Sequence, residues 1–91
     1  MQIRNPDYQA FVREIFRSAP YIRSLGIELV DFGVGWVETV LVIRPNHHQQ
    51  HGFVHAGVQA TLADHSAGAA AATLNAPNVN VLTIEFKLNL L

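Results

Sequence analysis

The run from Gln49 to Gly68, QQHGFVHAGVQATLADHSAG, gathers most of the residues in this chain that can do chemistry. A polar loop ends in a histidine and a small pair, Ala56-Gly57, and an alanine-rich segment with one carboxylate, Asp64, follows. Alanine is the best helix former, so a helix is expected from about Gly57 to Leu74, ended by Asn75-Ala76-Pro77. The start of a helix carries unpaired backbone N–H groups and the positive end of its dipole, so Ala56 and Gly57 can polarise a carbonyl or hold an oxyanion. Asp64 is the matching general base or nucleophile.

On that helix Asp64 shares a face with Gly57, Ala60, Thr61, Ala67, Gly68 and Ala71, a small-residue strip with room beside it for a substrate or a neighbouring helix. The plainer alternative is a carboxylate that bonds Thr61 or Ser66, or faces solvent. His55 and Gln49 would orient the loop or an attacking water, or else bond local carbonyls. All five histidines lie between His47 and His65, and His47, His48, His51 and His55 raise the question of a metal. Zinc needs three or four convergent ligands, commonly including a carboxylate or thiolate. Pro45, Gly52 and the absence of cysteine argue against such a set, so no metal is expected.

The elements that must position these groups follow from periodicity. Tyr8, Phe11, Val12, Ile15, Phe16 and Ala19 fall on one helical face, which predicts a helix over 5–19 with Asn5 as cap, Pro6 in its first turn and Pro20 at its end. Ile27 to Phe32 and Trp36 to Arg44 read as the strands of a hairpin about Gly33-Val34-Gly35. Val37, Thr39, Leu41 and Ile43 would share one face of the second strand, with Trp36, Glu38 and Arg44 on the other. Pro45 stops the pairing, and Asn46 to Ala56 form a polar loop. Val79 to Leu91 alternates most cleanly of all, with Leu82, Ile84, Phe86, Leu88 and Leu90 opposite Thr83, Glu85, Lys87 and Asn89, and is expected to be a strand.

Ninety-one residues permit one domain, with 49% hydrophobic and 14% charged residues. Such an apolar small chain is expected to meet another chain. A net charge of −1 gives no footprint for nucleic acid, and no apolar run approaches the length needed to span a bilayer. The polar start MQIRNPDYQA does not read as a signal peptide, so a cytoplasmic location is expected. Without cysteine the chain has no disulfides and no thiolate catalysis.

Gln49, the turn His51-Gly52, the tripeptide His55-Ala56-Gly57 and Asp64 on a helix together resemble the hotdog-fold acyl-CoA thioesterases of the phenylacetate-pathway (PaaI) type. The resemblance extends through LGIELVDFGVGWVETVLVIRP and VNVLTIEFKLNLL, and so covers nearly all of the chain. It departs at Ala56, where the family commonly has a glycine; alanine keeps the N–H but is strained if the position needs a positive φ. The resemblance implies an α+β hotdog domain, an antiparallel sheet wrapped around a central helix, over residues 1–91. Family members continue with three further strands, so the domain is read as C-terminally truncated.

What the resemblance implies for function is hydrolysis of acyl-CoA thioesters by a homodimer or homotetramer without cofactor. Asp64, Gly57 and Ala56 would be catalytic, and Gln49, Gly52, His55 and Thr61 would bind substrate. The alternative is a non-catalytic truncated remnant that binds an acyl chain or serves dimerisation. A hotdog dehydratase fits less well, since those families use a catalytic histidine in a different loop context.

Overall fold

The computed structural model describes residues 2–91. Helix α1 was expected over 5–19 with Asn5 as its cap and runs Tyr8–Arg17 instead: its N-cap residue is Asp7, which makes no side-chain capping bond, and Asn5 Oδ1 accepts the Asp7 N–H at 2.9 Å in a turn ahead of the helix. It buries Val12 and Phe16, while Ile15 packs beside them. The face predicted from spacing is the face that is buried. Pro20 does not simply end this helix: its fixed φ suits a first helical position, and it opens a second short helix, α2, Pro20–Leu25. Gly26 closes α2 with φ +87°, and a Cβ there would meet the Arg44 guanidinium at 2.8 Å. The positive φ is what favours glycine there, since the guanidinium is the movable end of a flexible side chain.

Strands β1, Glu28–Gly33, and β2, Trp36–Val40, form an antiparallel hairpin turning through Val34 and Gly35. Between Leu29 and Asp31 the register slips by one residue, a β-bulge at Val30. β2 was expected to reach Arg44, but pairing stops at Val40 because its partner Glu28 is where β1 begins. A 3₁₀ turn, Pro45–His47, leads into the loop, and helix α3 runs Ala56–Ala72.

Helix α3 lies across β2. Ser66 and Thr39 hydroxyls meet at 2.8 Å, and at the far end the Gly35 N–H donates to Thr73 Oγ1 at 2.7 Å. Val12, Phe16, Ile22, Ile27 and Ala69 form the core, with Leu29, Val37 and Leu41 packed against it. Alanine at 69 and 72 lets α3 sit close to its neighbours, and both are almost fully buried.

Residues 79–91 differ from expectation. They are extended but form no β-ladder among the described residues, and Leu82 and Ile84 are 85% and 95% exposed. Alternation specifies which side chains would share a face, but a strand also needs a neighbouring backbone to accept its N–H groups. The β1–β2 hairpin does not supply one.

Candidate active site

The loop that precedes α3 is built around a buried histidine. His47 is 0% exposed; its Nδ1 accepts the Arg44 N–H at 2.9 Å, which leaves Nε2 to donate to the Leu25 carbonyl at 2.8 Å. The His47 carbonyl accepts the His55 N–H at 2.8 Å. One residue thus joins the end of α2 and the segment after β2 through its side chain, and the residue that caps α3 through its carbonyl. Nothing in the sequence distinguishes His47 from the other loop histidines, because its role depends on a carbonyl far away in the chain.

Gln49 and Gly52 lie in a tight turn. The Gln49 N–H donates to the Phe53 carbonyl at 2.8 Å, and Gln49 Oε1 accepts the N–H groups of His51 and Phe53. Gly52 turns the chain with φ +83°, in the region that favours glycine. Gln49 therefore holds the loop in shape, and His51 is exposed beside it. Among the described residues, no three histidine, aspartate or glutamate side chains come together in a way that would hold a metal ion.

At the start of α3, His55 is the N-cap residue, and its Nδ1 accepts the Gly57 N–H at 2.8 Å. The Ala56 N–H has no acceptor among the described residues. Ala56 is helical, so its methyl group carries no positive-φ strain. Thr61 turns its hydroxyl back onto the Gly57 carbonyl at 2.8 Å, with the Tyr21 hydroxyl 3.4 Å away.

Asp64 lies two turns further on, half-buried, and its Oδ1 accepts a hydrogen bond from Thr83 Oγ1 at 2.8 Å. The expected alternatives, a bond to Thr61 or Ser66, are not what it makes: those hydroxyls are engaged by Gly57 and Thr39. A cleft of about 280 Å³ opens beside the carboxylate, between α1, α3 and residues 80–83. Next to Asp64, His65 turns into the α1–α3 interface and meets the Phe16 ring edge-on at 4.7 Å. Its Nε2 is buried without a hydrogen-bond partner among the described residues. Burial lowers the His65 pKa, against smaller opposing effects from the Ile15 carbonyl and the Asp64 charge.

The two candidate groups lie apart along α3. Eight residues separate Ala56 from Asp64, about 12 Å at roughly 1.5 Å of rise per residue. A carbonyl held by the one lies beyond hydrogen-bonding reach of the other in the same chain. Thr83 was not foreseen as part of the site. Its position on the polar side of an alternating segment was the available signal, but not which partner it would meet.

The Thioesterase superfamily matches residues 51–91, from the glycine turn through α3 to the extended segment. A crystal structure of a thioesterase family protein from Silicibacter pomeroyi is 38% identical, with a TM-score of 0.86. The match covers 90% of this chain and 60% of that one. No curated protein matches. The fold is α+β and of the hotdog type, and this chain spans about 60% of the length of the solved protein it resembles. In sequence and in fold alike, it is to thioesterases that the chain is similar.

Proposed function

We propose that the protein hydrolyses acyl-CoA thioesters, as a hotdog thioesterase of the phenylacetate-pathway type. The observation that carries this reading is Asp64, half-buried over a cleft and held by Thr83, on the helix whose first N–H has no acceptor. The thioester carbonyl would accept a hydrogen bond from the Ala56 N–H, joined by that of Gly57 when the His55 ring gives it up. Asp64 would take a proton from water as the water oxygen attacks the carbonyl carbon, and the tetrahedral oxyanion would rest on the helix start. Collapse breaks the carbon–sulfur bond, and the leaving thiolate takes the proton. In the other route Asp64 attacks directly and water cleaves the resulting anhydride.

The distance between the two groups supports a site shared by two subunits, in which Asp64 of one would face Ala56-Gly57 of the other in a homodimer or a tetramer of such dimers. The substrate partner is acyl-CoA and the site of action is the cytoplasm. No helix among the described residues is long and apolar enough to cross a membrane. No cofactor enters the reaction. A second reading, an acyl-binding or dimerisation module without turnover, is favoured by the engagement of the Gly57 N–H with His55.

Release of free thiol from a panel of aliphatic and aromatic acyl-CoAs separates the two readings. The shared site is tested by mixing Asp64→Asn with Ala56→Pro. Each alone should be inactive, and verified heterodimers should regain activity at the one intact composite site. Heterodimers that recover nothing would rule the shared site out.

A further inference from the structure

The cleft beside Asp64 has features that the hydrolytic chemistry does not require. Its walls are Phe11 and Ile15 of α1, Ala69 and Ala72 of α3 and Val81 of the extended segment, and Gly68 lies on the same α3 side one turn beyond Asp64. Glycine within a helix costs about 1 kcal/mol relative to alanine, so it usually has a reason in packing. Here no packing explains it: a Cβ at Gly68 would meet nothing within 4 Å. The space beside Gly68 is open, and it is continuous with the carboxylate.

We propose that this α1–α3 cleft is the pocket for the acyl group, that it takes an uncharged chain of medium length, and that Gly68 sets that length. The inference rests on the thioesterase reading for the identity of its occupant. A cavity of about 150 Å³ accommodates a benzene ring. At about 280 Å³ the cleft accommodates a chain of roughly ten carbons by the same measure. Charge narrows the choice further. Glu14 on the wall is paired with Arg17, which leaves Asp64 as the unpaired charge of the lining, and no lysine or arginine among the described residues lines the cleft to receive an acyl group ending in its own carboxylate.

Calorimetry of the full-length protein with S-alkyl-CoA thioethers, which cannot be hydrolysed, tests the pocket independently of turnover. Affinity should rise by up to about fourfold per methylene until the chain has roughly ten carbons, then level off. A leucine at position 68 is a good helix former entering open space, so Gly68→Leu should fold. It should weaken S-decyl-CoA binding by roughly 10-fold or more and leave S-methyl-CoA within about twofold. The S-(5-carboxypentyl) analogue should bind wild type at least about tenfold more weakly than S-hexyl-CoA. A wild-type profile flat in chain length, equal losses for all chains in Gly68→Leu, or equal binding of the carboxylated analogue overturns the pocket. Chain-length-dependent binding without thiol release would sink the thioesterase reading and leave the pocket standing. Thiol release with a flat profile does the reverse.

Discussion

Thr83 Oγ1 lies 2.8 Å from Asp64 Oδ1, the one side-chain hydrogen bond among the described residues that joins 79–91 to the body of the fold. A hydroxyl donating to a carboxylate fixes its orientation and leaves the second oxygen for water. Asp64→Asn keeps the shape and removes the charge, so turnover should fall by roughly 10²–10⁴-fold with unfolding unchanged. Thr83→Val should lower kcat by about tenfold, and Thr83→Ser, which keeps the hydroxyl, should restore most of it. Steady-state thiol release measures both. Equal activity of the Val and Ser variants would remove Thr83 from the site.

Ala56→Pro isolates the backbone donor. His55 already has the extended conformation that proline demands of its predecessor, with φ −61° and ψ 134°, and Ala56 is the first residue of α3. The variant should therefore melt within a few degrees of wild type. Losing one oxyanion donor should cost about 10²–10³-fold in kcat. A full rate in a folded Ala56→Pro protein would show that the donor lies elsewhere.

His47 is a matter of stability. Replacing it with alanine leaves a void and frees the Arg44 N–H, while the Leu25 carbonyl keeps only its bond from the Arg44 guanidinium at 2.9 Å. The expected loss is about 2–4 kcal/mol, read from urea unfolding. The same change at exposed His51 should stay within about 0.5 kcal/mol.

His65 makes stability depend on pH. Its pKa in the folded protein lies below the ordinary value, so at pH values between the two the unfolded chain binds a proton that the folded one does not. Stability should be level above about pH 6.5 and fall as the pH drops below it, until the lowered folded pKa is reached. His65→Gln should flatten this part of the profile in urea titrations from pH 5 to 8. An unchanged slope in that variant would assign the effect to another group.

Much of this was legible in the sequence because it is local. The buried face of α1, the hairpin and the extent of α3 to within two residues follow from spacing and composition, and Asp64 is the lone carboxylate of its helix, whereas the cap position of α1 falls at Asp7 and not at Asn5. The misses are relations between distant segments. Pro20 reads equally well as a stop or a start, and only the packing of Ile22 into the core selects the start. His47 needs Leu25, and Thr83 needs Asp64. The expected strand over 79–91 has the right pattern, but its hydrogen-bond partners are not in the hairpin.

Helix α3 is fastened at three stations: His55 to His47 at its start, Ser66 to Thr39 midway, and Thr73 to Gly35 at its end. It is a strut of fixed length rather than a rod free to slide. Removing one residue between Ala56 and Ser66 would turn every later side chain by about 100° and draw it back by about 1.5 Å. The Ser66 fastening would then be out of register with Thr39, and Asp64 would swing away from its cleft. A change of length in the 74–78 connection would leave these three fastenings in register and shift Thr83 relative to Asp64.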